Sequence, residues 1–294
     1  MTDIGAMIRE SFGRGDDIRD AGLTTPEDVV RFDNLVYGSD PAWQALDVYR
    51  PRSAAGETLP VIVSVHGGGW VYGDKERYQF YCMSLAQRGF AVVNFTYRLA
   101  PEFQYPAPLE DTNLVFGWIL RHADQYGLDT NRLFAVGDSA GGNILGLYAA
   151  FCTNPAYAAR FSFQPHPSVK LRAVGLFCGD YEIDPAQNPD ALSTQIMQVY
   201  LPERGSPREL EEMSVFHWIT PDYPPVFLTT AVDDFLKDHA HSLAACLIQH
   251  DVPFQFHFYG SRDTRLGHVF HLDLRSPEGQ RCNDETCAFF RKYL

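Results

Sequence analysis

Short, nearly continuous apolar runs alternate along the chain with longer segments in which apolar residues recur at helical spacing. The runs are Val61–Val65, Phe90–Thr96, Arg132–Gly137, Ala173–Cys178, Val226–Ala231 and Phe254–Tyr259. The helical segments are Arg77–Arg88, Leu109–Tyr126, Ala140–Cys152, His239–His250 and Glu278–Tyr293. Strands that are apolar at every position are typical of parallel sheets covered by helices on both faces. The pattern therefore predicts an α/β fold with a mostly parallel, doubly wound sheet.

Two regions depart from this alternation. Residues 1–40 combine a short amphipathic stretch, Ile4–Phe12, with a polar segment. Residues 184–222 are rich in Pro, Glu and Gln around Ala191–Tyr200 and Glu209–Trp218. We expect both regions to form helices over the end of the sheet, as a small cap, because open α/β sheets bind ligands at the carboxyl ends of their strands. No repeat or linker divides the chain, so we expect a single domain over residues 1–294.

Composition narrows the classes of partner. The chain has 24 Lys and Arg against 37 Asp and Glu, a net charge of −13, which repels phosphate backbones and anionic membrane surfaces. The N-terminus has no apolar run typical of a signal peptide, and no 18-residue apolar stretch occurs, so we expect a cytoplasmic protein without a membrane or nucleic-acid partner. The six cysteines lack paired C-x-x-C spacing, which favours free thiols and no metal site.

The strongest chemical signal is the segment Gly137-Asp138-Ser139-Ala140-Gly141-Gly142, which follows a predicted strand and precedes a predicted helix. It matches the G-x-S-x-G pattern, in which a serine nucleophile sits on a sharp turn flanked by small residues. The helix that follows favours negative charge developing near the serine. A glycine loop for phosphate would need a Lys followed by Ser or Thr, and neither is present. We therefore predict that Ser139 is the nucleophile of an acyl-transfer enzyme.

A second glycine-rich segment follows the strand Val61–Val65. It reads His66-Gly67-Gly68-Gly69-Trp70, and its missing side chains let backbone N–H groups approach a substrate oxygen. An acyl-transfer enzyme needs such donors for the tetrahedral oxyanion, and the N–H of the residue after the nucleophile supplies another. The segment is therefore a candidate oxyanion loop, with the N–H of Ala140 as its partner.

Three motifs in this order carry a specific resemblance: HGGGW at 66–70, YRLAPE at 97–102 and GDSAGG at 137–142. They resemble the hormone-sensitive-lipase-like branch of α/β-hydrolase esterases, over the chain from about Asp47 to the C-terminus. The resemblance implies a carboxylesterase with a helical cap. It also implies the N–H groups of Gly68, Gly69 and Ala140 as oxyanion donors, with Gly67 a close rival, and His66 as a residue that orients the loop.

The neighbours of these motifs are candidates for supporting roles. We predict substrate contact for Trp70, Tyr72 and Asp138, although the two aromatic residues suit a plain core equally well. Arg98 and Glu102 flank a turn, and we expect them to form a structural ion pair, because charged groups that are buried are usually paired.

The acid of a triad in this fold follows the nucleophile and precedes the histidine. Three carboxylates come after the strand Val226–Ala231: Asp233, Asp234 and Asp238. The segment resembles the family pattern T-A-x-x-D-x-L-x-D, which selects Asp234. Asp233 is then the main rival, and Asp238, at the start of a helical run, is expected to cap that helix.

The general base is expected after the last strand, where His268 and His271 are the candidates. His268 follows a glycine in a loop and resembles the family's catalytic histidine. His239 and His241 could be read as metal ligands, but no third ligand of clear spacing accompanies them. We predict His268 as the base and the other histidines as structural.

Together these residues predict hydrolysis of an ester by an acyl-enzyme route that requires no cofactor. With about 40 residues before the core the lid is short for the family, and we expect short acyl chains, acetyl groups included, on a small alcohol, sugar or aryl carrier. An amidase or arylformamidase would use the same triad and remains an alternative, and a non-catalytic receptor on the same fold would lack a triad member. The partner is then a small-molecule ester, and the sequence leaves a homo-oligomer open.

Overall fold

An eight-stranded sheet forms the centre of the computed structural model, which describes residues 4–183 and 191–294. Its strands are β1 (Val29–Val36), β2 (Ala45–Pro51), β3 (Leu59–Val65), β4 (Ala91–Phe95), β5 (Leu128–Asp138), β6 (Leu171–Phe177), β7 (Val226–Ala231) and β8 (Phe254–Tyr259). They lie in the order β1-β2-β4-β3-β5-β6-β7-β8. β1 and β2 pair antiparallel to their neighbours, and all the later strands are parallel.

Helices cover both faces of the sheet. They are α1 (Ile4–Asp20), α2 (Lys75–Gln87), α3 (Ala107–Tyr126), α4 (Ala140–Thr153), α5 (Pro155–Ala158), α6 (Leu192–Tyr200), α7 (Pro207–Met213), α8 (Lys237–Gln249) and α9 (Pro277–Arg291). Short 3₁₀ helices occupy Arg52–Ala54, Val215–Trp218 and Phe270–Leu272. Buried residues of α2 and α9 form one apolar cluster with the sheet, and those of α3, α4 and α8 belong to the other. The predicted doubly wound, mostly parallel sheet is confirmed, and the six predicted strands are present with ends shifted by a few residues.

The sequence prediction missed β1 and β2. The polar part of residues 1–40, which we expected to be helical, contains β1, an edge strand that is largely exposed and therefore lacks a continuous apolar run. β2 is buried, but Asp47 interrupts its apolar pattern. That carboxylate is nearly inaccessible and pairs with the buried ammonium of Lys75, 3.1 Å from its Oδ1. A buried charge is tolerated when it is paired. Because Asp47 is charged, the sequence pattern did not indicate a buried strand here.

The amphipathic part of residues 1–40 and the region 191–222 are helical, as predicted. The expected stretch Ile4–Phe12 extends into the longer helix α1, and α6 lies within Ala191–Tyr200. The expected segment Glu209–Trp218 is divided between α7, which begins earlier and ends at Met213, and the 3₁₀ helix Val215–Trp218. Residues 184–190 of the expected cap lie outside the described residues. Helices α1 and α6 are in contact with each other.

The expected ion pair between Arg98 and Glu102 is wrong. Arg98 instead binds Asp111 and Glu110, with N···O distances of 2.8 and 2.7 Å. Glu102 binds Arg9 of α1 at 2.6 Å, so its charge fastens the N-terminal helix to the loop after β4. In the ranges described, no helix has both the length and the apolar character needed to cross a bilayer.

Candidate active site

Ser139 sits at the tip of the turn between β5 and α4. Its backbone has φ 52° and ψ −121°, a conformation that a side chain rarely adopts and that marks a strained turn. The turn is packed so closely against the end of β3 that a Cβ on Gly141 would lie 2.1 Å from the carbonyl oxygen of Val65. Glycine is therefore required at that position, and the serine hydroxyl is held at the carboxyl edge of the sheet.

The structure brings Ser139, His268 and Asp234 into one hydrogen-bonded chain. His268 Nε2 lies 2.9 Å from the Ser139 hydroxyl oxygen, and its Nδ1 lies 2.7 Å from Asp234 Oδ1. Because a carboxylate can only accept, Nδ1 carries the proton and Nε2 is free to accept from the serine. This is the arrangement in which an imidazole can remove the serine proton during attack on a carbonyl.

The carboxylate of Asp234 is held by further donors. The hydroxyl of Thr230 donates to its Oδ2 over 2.6 Å, and the backbone N–H of Leu236 donates to Oδ1 over 3.0 Å. Burial by itself raises the pKa of Asp234, but the hydrogen bonds from His268 and Thr230 outweigh it, so the pKa is lowered. The group is therefore ionised and fixed in position beside the imidazole.

The rival residues have other partners. The carboxylate of Asp233 binds the guanidinium of Arg265, with a distance of 2.7 Å to Nε, and its backbone pairs with Gly267, which aligns the loop before His268. Asp238 lies in the first turn of α8 but is not its N-cap, which is Leu236, so the capping prediction is wrong. His271 is buried, its ring stacks on Phe177 at 4.5 Å, and it makes no hydrogen bond to Ser139.

The glycine loop contributes N–H groups of two kinds. The N–H of Gly67 donates to the hydroxyl of Tyr78 over 2.9 Å, so this rival donor is already engaged. Gly68 and Gly69 have φ of 119° and 60°, and a Cβ on Gly68 would lie 2.2 Å from the carbonyl oxygen of Tyr72. Neither of their N–H groups, nor that of Ala140, has an acceptor among the described residues. These three N–H groups can therefore donate to another acceptor.

His66 supports the loop from below. Its ring is completely buried and stacks on Tyr97 at 3.9 Å, and the Tyr97 hydroxyl donates to the His66 carbonyl over 2.9 Å. Burial lowers the pKa of His66 to about 4, so the imidazole is neutral. Its ring makes no hydrogen bond to Ser139 and packs beneath the glycine loop.

Asp138, the residue before the nucleophile, faces the same loop. Its carboxylate is almost fully buried and accepts from the Tyr78 hydroxyl over 2.7 Å. Since that hydroxyl also accepts from Gly67, one tyrosine joins the glycine loop to the nucleophile turn. Burial raises the pKa of Asp138 to about 7. Sequence analysis did not single out Tyr78, which no motif marks.

A cavity of about 1040 Å³ opens over Ser139. Two members of the hydrogen-bonded chain, Ser139 and His268, line it together with all three predicted substrate contacts, Trp70, Tyr72 and Asp138. Trp70 stacks on Tyr200 of α6 at 5.2 Å between ring centres. The Tyr72 hydroxyl donates to Asp16 of α1 over 2.7 Å. Trp70 and Tyr72 therefore both line the cavity and pack in the protein core.

Comparison with known proteins places this geometry in a family. The BD-FAE family model matches residues 46–245, which include β2 to most of α8, the glycine loop, Ser139 and Asp234. The chain belongs to the BD-FAE family. His268 lies beyond the matched segment, and its position is given by the structure alone.

Relatives of this BD-FAE protein are named as esterases. The esterase LipC of Mycobacterium tuberculosis is 31% identical over 157 residues, 53% of this chain and 38% of LipC. The versiconal hemiacetal acetate esterase of Dothistroma septosporum is 25% identical over 79% of this chain and 73% of its own length. The chain thus spans little more than a third of LipC.

Solved structures of esterases have the same fold. The crystal structure of esterase B from Lactobacillus rhamnosis matches with a TM-score of 0.87 at 25% identity, and the match covers 100% of this chain and 96% of the esterase B chain. These matches confirm the α/β-hydrolase fold and the resemblance to hormone-sensitive-lipase-like esterases.

Some residues at the site of this BD-FAE protein escaped sequence reasoning. Asp16 and Arg19 of α1 line the cavity, and Arg19 also donates to the carbonyl of Arg77 over 2.7 Å. Their spacing of three residues on one helix is compatible with an ordinary surface pair, so no local signal distinguished them. Thr230 is only the first residue of the acid's motif in the sequence, but from four residues before Asp234 its hydroxyl reaches the carboxylate.

Proposed function

We propose that this chain hydrolyses carboxylic esters, with Ser139 as nucleophile, His268 as general base and acid, and Asp234 as the residue that orients and stabilises the imidazole. The observation that carries the proposal is the continuous pair of hydrogen bonds through His268, 2.9 Å to Ser139 and 2.7 Å to Asp234. The names of the relatives, esterases in each case, support the choice of an ester as substrate.

The reaction follows from the positions of the atoms. As the Ser139 oxygen attacks the ester carbonyl, His268 Nε2 takes its proton, and the negative charge on the carbonyl oxygen is stabilised by the N–H groups of Gly68, Gly69 and Ala140. The imidazolium then gives its proton to the departing alcohol oxygen, leaving an acyl-serine. Water attacks that acyl group with the same histidine as base, releasing the acid and restoring the serine. This chemistry needs no cofactor.

We assign the acyl part of the ester to a short chain, acetyl in particular. Large side chains border the cavity beside the glycine loop: Trp70, which is stacked on Tyr200, and Ile196, which lies within contact range of Gly69. The name of the Dothistroma relative, an acetate esterase, agrees with a short acyl group. A panel of p-nitrophenyl esters tests this assignment. We expect kcat/KM to be highest at two to four carbons, and a maximum at eight or more would overturn it.

Substitution of the triad tests the catalytic assignment. We expect Ser139→Ala, Asp234→Asn and His268→Ala to keep the fold and to lower kcat by about 10⁴-fold. Asp233→Asn is the matched control, because this neighbouring carboxylate binds Arg265 on the surface and its loss should leave kcat within a few fold. If Asp233→Asn were inactive and Asp234→Asn active, the acid would be misassigned.

The class of substrate is tested by including formyl-arylamines and simple amides in the same assay. Faster turnover of these compounds than of esters would contradict the choice of ester.

A further inference from the structure

Phe235 is the most exposed phenylalanine in the described part of the chain, with 74% of its surface accessible. It lies directly after Asp234 in the loop between β7 and α8, and the next residue, Leu236, donates its N–H to the Asp234 carboxylate. The residues on both sides of Phe235 are therefore fixed at the proposed triad: Asp234 is its acid, and Leu236 is hydrogen-bonded to that acid. An exposed aromatic ring forgoes the free energy of burial, and an apolar side chain on the wall of a pocket can regain it by covering an apolar part of a ligand.

The ring of Phe235 packs against the imidazole of His268. Their centres are 4.3 Å apart with the planes tilted by 39°, and both residues line the cavity that contains Ser139. Apart from this contact, most of the surface of Phe235 is accessible. No other ring contact of Phe235 is found among the described residues.

The reaction itself determines which part of the substrate meets this ring. His268 Nε2, which lies 2.9 Å from the Ser139 oxygen, must deliver its proton to the oxygen of the departing alcohol. The alcohol part of the ester therefore lies next to the imidazole, and the acyl part lies on the other side of the tetrahedral carbon. Since Phe235 covers the imidazole, it lies beside the alcohol part.

The surroundings are suited to a flat apolar group. Leu236, Val269 and Leu272 line the cavity near the same loops, and an aromatic ring can stack on Phe235 in offset or edge-to-face geometry, which adds to the benefit of burial. We propose that Phe235 is a specificity-determining residue that selects esters of aromatic alcohols, that is, aryl esters whose phenol is released first. This inference rests on the proposed ester hydrolysis and on the role of His268 in it.

The test compares two esters with the same acyl group, phenyl acetate and ethyl acetate. The variants are Phe235→Ala and Phe235→Leu, and the quantity measured is the ratio of kcat/KM for the phenyl ester to that for the ethyl ester. The intrinsic reactivity of the two esters cancels when ratios are compared between variants. We expect Phe235→Ala to lower the ratio about three- to tenfold, and Phe235→Leu, which keeps apolar bulk, to lower it less.

Phe258→Ala is the matched control. Phe258 is also exposed, at 50%, but lies on β8 and does not line the cavity, so the ratio should not change. An unchanged ratio in Phe235→Ala would overturn the inference, whether both esters lose activity equally, in which case the ring acts on His268 alone, or neither loses any. In that outcome Ser139-dependent hydrolysis still stands. If the unaltered enzyme hydrolyses neither ester, or if Ser139→Ala is as active as the unaltered enzyme, both the proposed function and this inference are wrong.

Discussion

The hydroxyl of Thr230 offers a direct way to test how Asp234, the proposed acid of the triad, is held in place. It donates to Asp234 Oδ2 over 2.6 Å from the fully buried end of β7. Thr230→Val removes this donor and keeps the branched shape, so packing changes little. Asp234 Oδ1 keeps its contacts with His268 and Leu236, and Oδ2 loses the hydrogen bond from the hydroxyl.

The expected magnitude follows from the type of bond. A hydrogen bond to a charged group is worth about 1.5–3 kcal/mol, which corresponds to about a ten- to hundredfold change in rate if it is fully expressed in the transition state. Thr230 acts through Asp234, so its loss should cost less than the approximately 10⁴-fold expected for loss of the acid's function. We therefore expect kcat to fall about tenfold or more, with little change in KM.

The assay is steady-state hydrolysis of p-nitrophenyl acetate, with urea unfolding to check stability. Thr229→Val is the matched control, because Thr229 is equally buried but its side chain leaves the strand on the opposite face. Thr230→Ser should restore most of the activity, since it returns the donor. The reasoning is refuted if Thr230→Val stays within twofold of the unaltered enzyme, or if Thr229→Val loses as much.

Two further predictions concern buried groups near the site. Tyr78→Phe leaves the Gly67 N–H without its acceptor and Asp138 without its donor, so we expect kcat to fall at least about tenfold while KM changes less; an unchanged kcat would mean that the bridge between loop and nucleophile turn has no role in catalysis. His271→Phe removes an imidazole whose pKa burial lowers from 6.5 to about 3. Below pH 6.5 the unfolded chain binds a proton there that the folded chain does not, so this histidine's contribution to stability falls as the pH falls. From pH 6.5 to 5 the unaltered protein should lose about 2 kcal/mol more unfolding free energy than the variant, as measured by urea unfolding; parallel pH profiles would contradict it.

Much of the fold was predictable because its central strands are buried on both faces. Nearly continuous apolar runs marked β3 to β7, which lie inside the sheet, and the aromatic run Phe254–Tyr259 marked β8 at its edge. The two strands that were missed are the antiparallel ones. β1 is an exposed edge strand, and β2 contains the paired charge of Asp47, so neither has the pattern of a doubly buried strand.

The candidate triad was predictable because its residues follow strands in a fixed order, and the structure brings Ser139, Asp234 and His268 together. The partners of these residues could not be found in the same way. Tyr78 reaches Asp138 from 60 positions away along the chain, and Arg9 reaches Glu102 across 93. Contacts of that kind depend on how helices pack on the sheet, so the local spacing of residues in the sequence does not predict them.

The central claim is that Ser139 carries the acyl group between the two halves of the reaction. It is tested most directly by quenching the enzyme within the first turnovers of p-nitrophenyl acetate and locating the acetyl group by peptide mass spectrometry. We expect a burst of one p-nitrophenol per active chain and an acetyl group on the peptide containing Ser139, at that residue, with neither in Ser139→Ala. Hydrolysis at full rate without acetylation of Ser139, or with the acetyl group on another residue, would contradict the account.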